Sequence, residues 1–267
     1  GEVLLLMADD IWMEPLVLRH HLEFHTQPGS SEKFALIGSV YRSPEMNETA
    51  YLRNWDPHKF SDREEILEMP YYMFWACHVS LKLKFMRDFG MFRDRRGRAG
   101  SAAHEDPELG YRLMQKGMQL FYDSQARGYH YHYEDFDITI DRMYQRGLNF
   151  GEFRKLIDQP EVSVVYHVLN RGTLLDHWKT FTSDRKRHLI NAERNPLRII
   201  LHYSLRSLLF NRVTVVLFWL PFLRRAENSK LIEALVSPRF YHGLMGYYFQ
   251  RGAADGNRKF ESVPENS

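Results

Sequence analysis

The chain has 267 residues, of which 44% are hydrophobic, enough for one large domain or a domain with an appendage. Its 36 basic and 34 acidic residues leave a net charge of +2, which argues against a dedicated nucleic-acid-binding protein, because such proteins are usually far more basic. The single cysteine, Cys77, excludes an internal disulfide framework and a cysteine-rich zinc site, and it fits a reducing compartment.

The first half of the chain alternates between segments typical of strands and of helices. An apolar strand is predicted at residues 3–7, and the first residue is Gly1 and not Met, so we expect the chain to begin inside a domain. Further strands are predicted at residues 34–41, 71–80 and 120–122, and helices at about 15–25, 82–89 and 107–116. This alternation is typical of an α/β domain.

From about residue 137 the pattern becomes helical. Residues 138–157 and 174–195 are amphipathic, whereas residues 197–225 are much more apolar. The longest uncharged run there, Val213–Leu223, has eleven residues, whereas a membrane-spanning helix needs roughly 20. Two interpretations stay open for residues 197–225: packing on the domain, or peripheral contact with a membrane through an interfacial helix.

The tail from Gly252 is rich in small polar residues and is predicted to be disordered. The predicted organisation is therefore an α/β domain over residues 1–136, an α-helical C-terminal extension over residues 137–251, and a disordered tail over residues 252–267.

The stretch from His104 to Leu113 places three acids, Glu105, Asp106 and Glu108, at a predicted loop–helix junction. Asp106-Pro107 is a typical helix start, since Asp can cap free amides and proline suits the first helical position. Capping needs only one acid, however. A carboxylate held rigidly at such a junction is well placed to act as a general base.

Two further groups of side chains are candidate metal or phosphate ligands. Asp9 and Asp10 follow the first apolar strand, where ligands bind in α/β sheets, and neighbouring carboxylates suit Mg²⁺ or Mn²⁺. A turn or a helix cap before Pro15 is the alternative. His130 and His132 alternate with tyrosines, which would put both on one strand face, within reach of a metal on Asp10; aromatic packing is the alternative.

The order of the motifs is more specific than any one of them. In chain order they are Asp9-Asp10-Ile11, Phe74–Leu81, Gly90-Met91-Phe92, Glu105–Leu113 and Tyr129–His132. This order resembles the second half of a bacterial family 2 glycosyltransferase with the GT-A fold, over roughly residues 2–160. The resemblance implies a partial GT-A, Rossmann-like mixed sheet flanked by helices, without the family's N-terminal nucleotide-binding half.

The resemblance also implies an activity. It is an inverting transfer of a sugar from a nucleotide-diphosphate sugar to an acceptor hydroxyl, with Mg²⁺ or Mn²⁺ as the cofactor. The acceptor would be a glycan or a lipid-linked molecule in envelope or cell-surface polysaccharide synthesis. A cytoplasmic location at the inner face of the plasma membrane would suit such an acceptor.

The resemblance assigns roles to the residues on the acceptor side. Asp106 matches the base that deprotonates the acceptor, and Glu105 matches a residue that orients it. The expected wall beneath the donor sugar and the acceptor consists of Trp75, Ala76, Cys77, His78 and His104.

On the donor side, Asp9 and Asp10 match the acids that bind the metal and the diphosphate, with His130 and His132 close by. The metal ligands are expected to be Asp9, Asp10 and His132.

The chain departs from the family pattern at three positions. Ala8 stands where the acid motif often begins with Asp, and Cys77 and His78 stand where a small residue and Asn are usual. Two other functions stay open. A non-catalytic interaction module of the same fold would bind no nucleotide sugar, and a metal-dependent phosphohydrolase would release phosphate without any acceptor.

Overall fold

The computed structural model describes residues 1–46, 48–54, 66–92, 104–156, 205 and 208–261. The chain divides into two compact units. The first consists of Gly1–Asn47 and Asp56–Tyr133, and the second of Glu48–Trp55 and Glu134–Ser267. The predicted helix at residues 174–195 lies outside the described residues, as does most of the apolar stretch before residue 208.

The first unit is built on a mixed sheet. Its strands in the described residues are β1 (Val3–Met7), β2 (Ile11–Met13), β3 (Phe34–Arg42), β4 (Leu67–Met69), β5 (His78–Lys82) and β6 (Gln119–His130). The strand order is β1-β5-β3-β6-β2, and β4 also pairs with β6. Strands β3 and β6 run parallel, whereas the other pairs are antiparallel. The predicted α/β class with a mixed sheet is therefore confirmed.

Helices cover both faces of this sheet. Of the first four helices in the described residues, α1 (Val17–Thr26), α3 (Leu83–Phe89) and α4 (Glu105–Gln115) belong to the first unit. Helix α2 (Ala50–Asn54) belongs to the second unit. Helix α1 packs on one face, where the ring of Phe24 contacts those of Phe34 and Phe121. The other face forms a core with α3 and α4, made of alternate strand residues and of Phe85, Met86, Leu109 and Leu113.

The predicted strand at residues 71–80 is wrong over its first half. Tyr71–Met73 form a 3₁₀ turn, and β5 begins only at His78. Close packing of α4 explains the difference, because Cβ on Gly110 would lie 2.4 Å from the carbonyl oxygen of Tyr71 and 2.6 Å from Cβ of Phe74. The aromatic residues of this segment thus pack against a helix instead of pairing with a strand.

Strand β6 is much longer than the predicted strand at residues 120–122, because it pairs with β3 along its length. The register of this pair shifts between Gly38 and Ser39. At the shift the chains approach closely: Cβ on Gly38 would lie 2.1 Å from Cε1 of His78 and 2.5 Å from the carbonyl oxygen of Ala126. Only glycine fits here.

The described part of the second unit is helical. Besides α2 it contains α5 (Phe136–Leu156), α6 (Arg212–Thr214), a π-helical segment (Val215–Trp219), α7 (Leu220–Ala226), α8 (Lys230–Glu233) and α9 (Pro238–Glu261). Its core includes Tyr51, Phe136, Val215, Trp219, Leu223, Tyr241, Leu244 and Met245. Helices α5 and α9 approach through glycine: Cβ on Gly147 would lie 2.1 Å from the carbonyl oxygen of Phe249.

The prediction of a disordered tail from Gly252 is corrected for residues 252–261. Helix α9 continues to Glu261, and residues 262–267 lie outside the described residues. The glycines that suggested disorder face α5, because Cβ on Gly252 or Gly256 would lie 2.0 Å or 2.3 Å from a carbonyl oxygen of that helix. Within the described ranges, no helix combines the length and the apolarity needed to cross a membrane.

We expect Gly38→Ala to lower the free energy of unfolding by about 3 kcal/mol or more, because the methyl group has no room between His78 and the backbone of β6. The matched control is Gly29→Ala. Gly29 has a φ of 87° but no atom within 4 Å of an added Cβ, so only the backbone cost of about 1 kcal/mol applies. Urea denaturation measures both, and equal losses would contradict the steric account.

Candidate functional site

Asp10, His130 and His132 come together at one end of the sheet. Asp10 lies in the turn between β1 and β2, His130 ends β6, and His132 follows two residues later. Strand β2 pairs with the end of β6 so that Ile11 lies opposite His130, and the amide of Tyr131 donates to the carbonyl oxygen of Asp10 at 2.8 Å. Backbone pairing therefore fixes the spacing between the acid and the imidazoles.

The Asp10 carboxylate contacts both imidazoles. Nε2 of His130 lies 3.2 Å from Oδ1, and Nδ1 of His132 lies 2.9 Å from Oδ2. The two rings stack with centroids 5.1 Å apart. One ligand atom from each residue lies within 4.8 Å of the others, and all three residues are partly exposed. This cluster is a candidate metal site, and its two imidazoles favour a transition-metal ion over Mg²⁺, which prefers oxygen ligands.

Asp9 is not a member of this cluster, although the sequence predicted it as a ligand. Its side chain is exposed in the turn beside Asp10. Successive residues of a tight turn point in different directions, whereas strand pairing brings His130 opposite Ile11, the residue after Asp10. In the described residues, the structure thus groups His130, and not Asp9, with Asp10 and His132.

Asp106 lies at the start of α4, but it is not the predicted helix cap. The helix begins at Glu105, and His104 occupies the cap position. The Asp106 carboxylate instead accepts a hydrogen bond from the amide of Ala76 at 3.1 Å. Burial raises the pKa of Asp106 to about 6; the charge of Glu105 also raises it, while the bond from Ala76 opposes the shift. Such a carboxylate can take up and release a proton near neutral pH.

His104 enters α4 through a strained backbone. Its φ of 72° is left-handed, and among the residues that the structure describes it is the one non-glycine with a positive φ. This conformation costs about 1–2 kcal/mol for a residue with a Cβ. Because His104 is also buried, surrounding packing holds the junction that carries Glu105 and Asp106.

The turn formed by Ala76 and Cys77 connects the two carboxylates. The amide of Ala76 binds Asp106, and the carbonyl oxygen of Cys77 accepts a bond from the amide of Ala8 at 3.0 Å, two residues before Asp10. Burial raises the pKa of the Cys77 thiol, and the charges of Asp106 and Asp10 raise it further. The two hydrogen bonds tie this turn to the start of α4, which carries Asp106, and to Ala8, two residues before Asp10.

The predicted wall residues do not all lie together. Trp75, Ala76 and Cys77 are half-buried at the turn. His78 is fully buried, with Nδ1 3.3 Å from the carbonyl oxygen of Ser39 and Nε2 3.0 Å from Nε2 of His21. It is the first residue of β5 and points to the α1 side of the sheet, so the structure does not bring it to the site.

His78 belongs to a buried polar network that the sequence analysis missed. Ser80 Oγ lies 2.7 Å from Nδ1 of His21 and 2.9 Å from Nε2 of His25. Burial lowers the pKa of His21 to about 3 and that of His25 and of His78 to about 4, so all three are neutral near pH 7. The sequence feature that could have indicated this network is the spacing of His21 and His25, which are four residues apart on a predicted helix and so share one face.

The third acid of the junction, Glu108, has a structural partner. It is buried and forms a two-point ion pair with Arg112, at 2.8 Å and 3.1 Å. Arg112 also donates to the carbonyl oxygen of Met91 at 2.7 Å. Glu108 therefore helps to attach α4 to the segment after α3.

Comparisons of the chain with protein-family models, with curated proteins and with solved structures found no match.

We expect the chain to bind Mn²⁺ or Zn²⁺, and His132→Ala to weaken that binding by more than about tenfold, because one of three protein ligands is lost. Isothermal calorimetry measures the affinity, which should also fall at lower pH because protons compete for the ligand atoms. The matched control is His20→Ala, which removes an imidazole that pairs with Asp123 outside the cluster. Equal affinities of wild type and His132→Ala would refute the site.

The pKa of Asp106 predicts a dependence of stability on pH. Because this pKa is about 6 when folded and about 4 when unfolded, the folded state binds more protons between these values. The free energy of unfolding should therefore fall as pH rises from about 4 to about 6, by at most about 3 kcal/mol. Asp106→Asn should be more stable than wild type at pH 7, with a gain that shrinks towards pH 4.

Urea denaturation across this range measures the effect. As a control, Glu105→Gln keeps Asp106 but removes a neighbouring charge that raises its pKa, so the window should move to lower pH. A gain from Asp106→Asn that does not vary with pH would show that Asp106 is not the titrating group.

Proposed function

We propose that this chain carries the acceptor-side and metal-side residues of an inverting glycosyltransferase with a GT-A fold. The reaction would move a sugar from a nucleotide-diphosphate sugar to an acceptor hydroxyl, in polysaccharide synthesis on the cytoplasmic side of the membrane. The observation that carries the proposal is the Ala76–Cys77 turn. The amide of Ala76 donates to the Asp106 carboxylate, and the carbonyl oxygen of Cys77 accepts from the amide of Ala8, two residues before Asp10.

In this proposal Asp106 removes the proton from the acceptor hydroxyl. A pKa of about 6 supports this role, because most of the carboxyl groups are then ionised at pH 7 and still basic enough to accept a proton. The Ala76 amide fixes the orientation of the carboxylate, and Glu105 in the same turn lies on the acceptor side. The acceptor oxygen would attack the sugar on the face opposite the leaving diphosphate.

In the proposal, Asp10, His130 and His132 hold a divalent cation. Of the two predicted ions, Mn²⁺ suits this donor set better than Mg²⁺ because two ligands are imidazoles. When bound, the ion would neutralise the charge that develops on the diphosphate. Asp9, exposed in the same turn, would contact the donor from outside the cluster.

The edge of the sheet at β1 also supports the proposal. All five residues of β1 are apolar, as in strands that are covered on both sides, yet in the described residues β1 pairs only with β5. We propose that further strands, which supply the nucleotide-binding half of the domain, pair with this edge. An apolar edge without a partner is otherwise prone to association.

A metal-dependent phosphohydrolase is the second candidate, because the cluster of Asp10, His130 and His132 alone could activate water for attack on a phosphate. It would need no general base at Asp106 and no acceptor. Release of inorganic phosphate from a nucleotide in the absence of any acceptor distinguishes this function from glycosyl transfer.

We expect Asp106→Asn to lower glycosyl transfer by about 100-fold or more and to leave donor binding nearly unchanged, because only the proton acceptor is lost. The assay uses the full-length gene product with Mn²⁺ and a panel of nucleotide sugars: calorimetry reports donor binding, and release of nucleoside diphosphate reports transfer. The control is Asp88→Asn, which removes an exposed carboxylate that pairs with Lys84 on α3.

Transfer that survives Asp106→Asn would remove Asp106 from the reaction but keep the enzyme class. The absence of binding to any nucleotide sugar would instead favour a non-catalytic interaction module.

A further inference from the structure

The second unit exposes a cluster of large apolar side chains. Within residues 208–218 six of them are more than half exposed: Leu208, Leu209, Val213, Val216, Leu217 and Phe218. Leu217 is 75% exposed and Leu208 is 69% exposed. Single exposed apolar residues are common on protein surfaces, but six in one short segment form a candidate contact surface. We call these six residues the apolar patch.

The helix over residues 212–226 carries four residues of the apolar patch, Val213, Val216, Leu217 and Phe218, and its other face is fixed to its own unit. Val215, Trp219 and Leu223 recur every four residues and are buried in the core of the second unit. The indole nitrogen of Trp219 also donates to the carbonyl oxygen of Leu209 at 2.6 Å. Because this buried stripe holds the helix, the apolar patch on the other side is a stable feature of the folded unit.

The charged side chains in the sequence segment that carries the apolar patch are all arginines. The sequence from Arg194 to Ala226 contains six arginines and neither Asp nor Glu. Three of these arginines, Arg212, Arg224 and Arg225, lie in the described helix and are exposed. Arg224 pairs with Asp137 at 2.7 Å, which leaves the local excess of positive charge with Arg212 and Arg225.

Apolar side chains combined with arginines fit a negatively charged lipid surface. Phospholipid headgroups attract the guanidinium groups, and the apolar side chains enter the boundary with the acyl chains. A second copy of the chain fits less well, because a symmetric contact places the same patch on both partners and brings like charges together. A membrane span is not available either, because no described helix is long and apolar enough.

We propose that the apolar patch binds the surface of an anionic phospholipid bilayer, with Leu217 and Phe218 inserted and Arg212 at the level of the headgroups. The binding is peripheral, since the helix keeps its buried stripe in the core of the second unit. Membrane binding needs no catalytic activity, so its test is independent of the glycosyltransferase proposal.

The test is flotation of the purified chain with two kinds of vesicle, phosphatidylcholine alone and phosphatidylcholine with phosphatidylglycerol. We expect wild type to float with the anionic vesicles only. Leu217→Glu should lower its partition by about tenfold or more, because a charge replaces an inserted apolar group. Arg212→Gln should lower it by about fivefold and reduce its sensitivity to salt.

The matched control is Leu18→Glu, which places the same charge at an exposed leucine of α1, 66% exposed, in the first unit. It should float like wild type. Thermal melts by circular dichroism establish whether the variants are folded. If Leu217→Glu does not fold, Val213→Ser is tested in its place.

Three results would overturn the proposal. In the first, wild type does not float with the anionic vesicles. In the second, folded Leu217→Glu floats as well as wild type. In the third, sedimentation without lipid detects a dimer that Leu217→Glu dissociates, which would identify a second copy as the occupant of the apolar patch.

Discussion

The two backbone hydrogen bonds at the Ala76–Cys77 turn hold the candidate site together. One joins the turn to the Asp106 carboxylate, and the other joins it to Ala8, just before the turn that carries Asp10. Both use main-chain groups of the turn, so the geometry depends on where the turn lies more than on its side chains. That position is set by the antiparallel pairing of β1 with β5, in which Met7 lies opposite His78. The register of this strand pair therefore fixes the link to Asp10, and the packing of α4 supplies the link to Asp106, 96 residues later in the sequence.

Much of the local structure could be predicted from the sequence, because apolar alternation and helical spacing act over a few residues. The strands at residues 3–7 and 34–41 lie close to their predicted positions. The sequence also predicted that a metal on Asp10 lies within reach of His132, because Asp10 follows one strand-like segment and alternation places His130 and His132 on one face of another; the Asp10 carboxylate does contact His132. It could not show that His130 and not Asp9 completes the cluster, or that His78 faces inward, because both depend on which strands pair and in which register.

The structural role of a glycine was the hardest to predict from the sequence, because it depends on residues that are distant along the chain. In β3, Gly38 leaves room for His78 and for the backbone of β6, and in α9 Gly252 leaves room for the backbone of α5. The same residue type suggested a flexible tail when the sequence was considered alone. Nothing within a few residues of Gly252 distinguishes a glycine that makes a chain flexible from one that lets two helices approach, because the difference lies in α5, about a hundred residues earlier in the chain.

The buried histidine network has only one arrangement of hydrogen atoms that satisfies every contact. The carbonyl oxygen of Ser39 can only accept, so His78 carries its hydrogen on Nδ1 and must accept at Nε2 from His21. His21 then accepts at Nδ1 from the Ser80 hydroxyl, which in turn accepts from Nε2 of His25. The carbonyl oxygen of Ser39, at one end of this series of hydrogen bonds, thus determines the tautomer of each ring. Nδ1 of His25 has no hydrogen-bond partner in the described residues. Protonation of His25 at this atom would therefore break none of the hydrogen bonds of the network.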